Sequence, residues 1–191
     1  MTLPFATPPR PAARAVPAER LFIALWPDEA VRARLAGAQA PLKGHGRIVP
    51  APNLHLTLLF LGSVAGERRG ELTTLMRDAA GPAFDLVLDR PGHFAGSGVA
   101  WLGASAMPPQ LPVLHGRLAD AARRAGFRVE RRAFRPHVTL ARDCTRPPAQ
   151  SPPETIAWHV DQLALVRSHL ERGGSRYEVI ARVRLGARGA G

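Results

Sequence analysis

The sequence predicts an α+β fold built mainly on antiparallel strands. An order of strand, helix, strand recurs in both halves of the chain. Two strand-like runs then close it, with Gly173-Gly174 between them in the position of a hairpin turn. The terminal hairpin favours a mixed or antiparallel layout over a purely parallel sheet. At 191 residues and 46% hydrophobic composition, the chain is long and apolar enough for a sizeable core.

The elements follow in order. Met1 to Glu19 is rich in Pro and Ala, holds Arg10 and Arg14, and has no continuous apolar run. It reads as an extension outside the fold rather than a secretory signal, which leaves residues 20–191 as one domain. Arg20 to Trp26 is a short apolar strand. Pro27-Asp28-Glu29 opens a helix, with Asp28 placed to cap it and Val31 and Leu35 on its apolar face. A Gly/Pro loop leads to a strand over Leu54 to Leu61, ended by Gly62. Glu67 to Ala80 is helical, with Leu72, Leu75 and Met76 inward, and stops at Gly81-Pro82. Phe84 to Leu88 alternates as a strand.

The second half begins with a turn-rich segment, Pro91 to Gly98, and a strand, Val99 to Gly103. Leu111 to Ala125 is a helix whose stripe is Leu111, Leu114, Leu118 and Ala122, capped by Gly126. Phe134 to Ala141 contains the second motif strand, Pro147 to Pro153 is a linker, and Ile156 to Val166 and Arg176 to Leu185 are the final strands.

Two echoes carry the chemistry: His55-Leu56-Thr57-Leu58 and His137-Val138-Thr139-Leu140. Residues two apart on a strand project to the same face, so each motif presents an imidazole beside a hydroxyl. One copy is ordinarily structural. Two copies at corresponding places of a duplicated unit point to two imidazoles facing one substrate. A free imidazole titrates near ~6.5, so one can enter a reaction as acid and the other as base. Threonine hydroxyls can hold the non-bridging oxygens of a phosphate between them. Arg135 shares the face of His137 if Pro136 leaves the strand geometry intact, and it is the cation this reading selects.

The remaining chemistry is sparse. Cys144 is the only cysteine, which rules out an intramolecular disulfide and a Cys-rich zinc site and favours the cytoplasm. A nucleophilic Cys144 has no partner to support it. No His-Glu-x-x-His and no carboxylate cluster suggests a metal. His45, His93, His115, His159 and His169 lie outside the pattern and read as structural or solvated. Phe22, Phe60 and Phe134 could stack on a base, although the apolar core is the expected fate of most of them. The net charge of +11, carried almost wholly by arginine, fits both a polyanion surface and a compositional bias. No apolar stretch is long enough to span a bilayer.

With these residues in view, the chain resembles the 2H phosphoesterase superfamily, and most closely its bacterial RNA 2′,3′-cyclic phosphodiesterase branch, also described as 2′-5′ RNA ligase-like. The segments that carry the resemblance are RLFIALWPDEAVRARL, NLHLTLLFLGSV, PGHFAGSGVAWLG, FRPHVTLAR and LVRSHLERGGSRYEVIAR. It implies a bilobal α+β fold, two pseudo-symmetric lobes whose antiparallel sheets line a central groove with helices outside. It implies hydrolysis of RNA 2′,3′-cyclic phosphate ends to a 2′-phosphate, with no metal and no cofactor. His55 would be the proton donor and His137 the proton acceptor, with Thr57 and Thr139 on the phosphate. A monomer acting on RNA, away from membranes, is expected. The alternatives are 2′-5′ RNA ligation, turnover of a small cyclic nucleotide or a 2′-5′ linked oligonucleotide, and a non-catalytic RNA-binding module.

Overall fold

The computed structural model describes residues 17–130, 132–145, 154–172 and 174–186. The linker expected over 147–153 and nearly all of the N-terminal extension lie outside them. Thirteen elements position the site. They are β1 (Glu19–Leu25), α1 (Glu29–Gly37), β2 (Arg47–Ile48), β3 (Leu56–Val64), α2 (Arg69–Ala79), β4 (Phe84–Leu88) and β5 (Arg90–Phe94) in the first part. β6 (Val99–Gly103), α3 (Gln110–Arg124), β7 (Val138–Arg142), β8 (Ile156–Val160), β9 (Gln162–Glu171) and β10 (Gly174–Arg184) complete them. The extension expected to end at Glu19 gives way to β1 at that residue.

All recorded pairings are antiparallel. The main sheet runs β10-β9-β1-β3-β7-β6-β5, with β2 on the side of β7, and β4 pairs β8 in a separate ribbon. The sheet has two wings. β3 and β7 touch at a single register pair, Leu56 with Val138, and every other pairing lies within one wing. The bilobal expectation takes this form.

β1 shows why its sequence is an unbroken apolar run: it is covered on both faces. Leu21, Ile23 and Leu25 enter the main core, while Phe22, Ala24 and Trp26 join Ala164 and Val166 in a smaller cluster on the opposite face. Asp28 caps α1 by accepting from the Val31 amide at 2.8 Å. α2 and α3 bury the leucine stripes read from their sequences, and Gly126 follows α3 with φ +76.

Four expectations are corrected. β3 does not end at Gly62 but passes through it to Val64. Leu61 is an extra residue against β1, and Gly62 takes φ +69 beside this bulge. The segment expected as turns after Pro91 contains β5, paired along its length with β6. The run 156–166 is two strands, since β8 serves the ribbon and β9 the main sheet, with Asp161 between them. Both motif strands begin one residue after their histidines.

No helix among the described residues is long and apolar enough to cross a membrane.

Candidate active site

The lone β3–β7 pair lies at the centre of the site. Leu56 and Val138 are the middle residues of the two His-x-Thr motifs, and both are buried. An antiparallel register centred there sets His55 across from Thr139 and Thr57 across from His137. Because neighbours on a strand alternate faces, all four side chains project away from the core. They line one groove of about 510 Å³, whose walls also include Phe60, Phe94, Arg20, Arg142 and Tyr177.

The two histidines are held alike. His55 Nδ1 lies 2.6 Å from the Asn53 carbonyl oxygen, and His137 Nδ1 lies 2.6 Å from that of Arg135. A carbonyl only accepts, so Nδ1 carries the proton in each ring and Nε2 is left for chemistry. Thr57 Oγ1 is 3.0 Å from His55 Nε2, and its hydroxyl donates to that nitrogen when the ring is neutral.

Aromatic rings pack around both. Phe22, Trp26 and Tyr177 surround His55, with centroids 4.9, 5.5 and 5.1 Å away. His137 meets Phe94 edge-on at 5.0 Å and Trp101 at 6.1 Å. Trp101 lies flat over its cross-strand partner Gly92, where a Cβ would fall 2.0 Å from the indole. Burial therefore disfavours the imidazolium. It is the largest cause lowering His55 from 6.5 to about 4; the charges of Arg142 and His137 add to it, and the Asn53 carbonyl opposes. His137 is lowered as well, by burial first, opposed by the Arg135 carbonyl and assisted by Arg142.

Arg142 is the residue that sequence reasoning missed. Strict alternation puts it on the face opposite His137 and Thr139. Leu140, however, is an extra residue of β7 against β6, since Ala100 pairs Ala141 and Trp101 pairs Thr139. This bulge buries Leu140 and Ala141 in succession and turns Arg142 to the groove. β3 repeats the device: Leu58 is extra against β1, Leu58 and Leu59 are both buried, and Phe60 emerges on the Thr57 face. Phe60 and Arg142 thus occupy equivalent places in the two motifs. Two consecutive buried apolar residues after each Thr were the available signal.

Arg135 is exposed and borders a side cavity of about 570 Å³ that Thr57 and His137 share with Phe60, Phe94, Phe134 and His115. His115 stacks on Phe134 at 3.9 Å. Of the three phenylalanines, only Phe22 is in the core, while Phe60 is 37% exposed with Arg20 over its ring at 5.0 Å. A second side cavity, about 240 Å³, opens beside His55 and Thr139. His159 and His169 pair with Asp85 and Glu178, Cys144 is buried, and His93 is half-buried outside the groove. Among the described residues no group of three or more His, Cys, Asp or Glu side chains is placed to hold a metal.

Two buried amides brace the motifs. Asn53 donates to the Ser175 carbonyl at 2.7 Å and accepts from the Tyr177 amide at 3.3 Å, fixing the carbonyl that holds His55 against β10. Gln39 donates to the carbonyls of Val49 and Leu140, both at 2.8 Å, and so clamps the β7 bulge.

The chain is 39% identical over 139 residues to the RNA 2′,3′-cyclic phosphodiesterase of Escherichia coli, spanning 72% of this chain and 78% of that protein. It is 33% identical over 181 residues to the protein of the same name from Thermus thermophilus, spanning 87% and 90%. The crystal structure of E. coli LigT complexed with 3′-AMP superposes with a TM-score of 0.80 at 35% identity, over 88% of this chain and 98% of that one. The family model of the 2′-5′ RNA ligase superfamily matches residues 26–172, and the chain belongs to that superfamily.

Proposed function

We infer that this protein is an RNA 2′,3′-cyclic phosphodiesterase, opening the cyclic phosphate at an RNA 3′ end to a 2′-phosphate by two-histidine acid–base catalysis. The observation that carries this reading is the crossing of two His-x-Thr motifs at Leu56–Val138, with both Nδ1 atoms tied to carbonyls and both rings lining one groove. The names of the bacterial relatives support the substrate.

In this reading the phosphorus sits between the rings. His137 Nε2 removes a proton from water as the oxygen attacks in line, and the P–O3′ bond breaks on the opposite side. His55 Nε2–H delivers its proton to O3′, leaving the phosphate on O2′. Thr57 and Thr139 donate to the non-bridging oxygens, and Arg142 neutralises the charge that develops on them. Arg135 adds positive charge at the neighbouring cavity, whose aromatic wall suits the terminal base. A 5′-hydroxyl RNA end in place of water would give a 2′-5′ linkage with the same two proton carriers.

The test is an RNA oligonucleotide ending in a 2′,3′-cyclic phosphate, followed by phosphorus NMR. The expected product is the 2′-phosphate alone. Release of the 3′-phosphate, or turnover retained by folded His55→Ala and His137→Ala variants, overturns the reading.

A further inference from the structure

We propose that the cavity beside His55 is a second phosphate site, which takes the phosphodiester on the 5′ side of the terminal ribose and so distinguishes an RNA end from a mononucleotide. The proposal rests on the function inferred above and extends it to Arg47, which lies outside the catalytic groove.

Its basis is an unfavourable pairing. Arg47 and Arg142 are direct partners across the β2–β7 ladder. Like charges placed opposite each other on adjacent strands repel and weaken the pairing. Asp143 pairs with Arg47 at 3.1 Å, and the three side chains together keep a net positive charge. Both arginines line the cavity of about 240 Å³, and it shares Arg142, Ser175, Tyr177, His55 and Thr139 with the groove. A local rule broken beside a site points to a ligand that relieves it, and here that ligand is an anion. Guanidinium groups bind phosphate oxygens through parallel hydrogen bonds.

The shape of the substrate says which anion. A terminal ribose has three arms: the cyclic phosphate on O2′ and O3′, the base on C1′, and the 5′ phosphodiester on C5′. The groove likewise opens into two side cavities, one walled by Phe60, Phe94 and Phe134 and the other by arginines. The base fits the aromatic one and the phosphodiester the cationic one. His55, the proposed donor to O3′, borders the cationic cavity, so the ribose lies on that side. A nucleoside 2′,3′-cyclic phosphate has no third arm and leaves the cavity unused.

The experiment compares kcat/KM for three probes: uridine 2′,3′-cyclic phosphate, the uridine dinucleotide ending in a 2′,3′-cyclic phosphate, and that dinucleotide with a neutral methylphosphonate linkage. One charge-assisted contact at a solvent-exposed guanidinium predicts that the charged dinucleotide exceeds both others by about tenfold in the native protein. In Arg47→Gln the advantage is expected to fall to within about twofold. Each ratio is internal to one protein, so partial loss of fold cancels. Equal turnover of the charged and neutral dinucleotides by the native protein overturns the site, and so does an Arg47→Gln variant that keeps the full advantage. Failure of the native protein to hydrolyse any of the three would instead overturn the function itself.

Discussion

The pH dependence of turnover is the most demanding test of the histidine pair. In the free protein His55 is lowered to about 4, through burial first and then the charges of Arg142 and His137. At pH 7 that is about three units of adverse titration, so placing a proton on the ring costs roughly 4 kcal/mol and about one molecule in a thousand carries it. A phosphate monoanion about 5 Å away, at an effective dielectric near 20, returns roughly 3 kcal/mol. His55 therefore acquires its proton together with the substrate. The constant kcat/KM follows the free protein, and kcat follows the complex. With both histidines lowered, the kcat/KM optimum is expected below pH 6.5. The alkaline limb of kcat should lie about two pH units above that of kcat/KM. Both limbs belong to the coupled pair rather than to one ring. The assay is initial rates on a cyclic-phosphate dinucleotide from pH 4 to 9, with the ring resonances of His55 and His137 followed by NMR in the free and phosphate-bound protein. Superimposable kcat and kcat/KM profiles, or a free His55 titrating at its ordinary value, would refute the reasoning.

Three further outcomes are expected. His55→Ala and His137→Ala should each lower kcat by about 10²–10⁴-fold, while inorganic phosphate still binds in a calorimetric titration. Gly92→Ala puts a Cβ 2.0 Å from the Trp101 ring, an overpacking expected to cost about 1–3 kcal/mol in chemical denaturation. Because Trp101 packs against His137, the same variant should lose kcat more than KM. Stability should also depend on His55. Its folded-state value lies below the unfolded one, so the unfolded chain binds the proton first, and the stability present above about pH 6.5 is lost as pH falls toward 4. Melting from pH 7 to 4.5 should show this decline, and His55→Gln should flatten it.

How far the sequence could be read is decided by where alternation holds. The helices were legible because Leu111, Leu114, Leu118 and Ala122 keep one period and Asp28 announces a start. The motif histidines were legible because each His and Thr stay two apart with no bulge between them. Beyond each Thr the period breaks. Bulges at Leu58 and Leu140 shift the next residues by one face, and the apolar pair after each Thr is the one local trace of them. Arg142 and Phe60 were consequently placed by the structure and not by the pattern. β5 was hidden by Pro91 and Gly92, residues that ordinarily punctuate turns. Gly92 is there because Trp101 needs the space. The split of 156–166 between two sheets depends on distant partners, β4 for one piece and β1 with β10 for the other.

The two bulges deliver different residues to equivalent places, which makes the halves unequal, and Gln39 is what holds the bulge of β7. A duplicated motif with perfect two-fold symmetry would give two equivalent imidazoles, whereas the reaction needs one charged and one neutral. β3 brings Phe60 into the groove, and β7 brings Arg142 to the equivalent place. Both donor hydrogens of the Gln39 amide are used, on Val49 and on Leu140 at the bulge. Gln39→Leu removes both bonds, at roughly 1–3 kcal/mol for a buried carbonyl left without a donor. The Val49 amide still bonds Leu140 at 3.0 Å, so the fold is expected to survive. Without the clamp β7 can straighten, which turns Arg142 away from the phosphate. Gln39→Leu and Arg142→Gln should therefore lower kcat/KM by similar factors. The double variant should be no slower than Arg142→Gln alone, because the amide acts only through the guanidinium. Additive losses in that cycle would mean that Gln39 supports the fold and not the aim of Arg142.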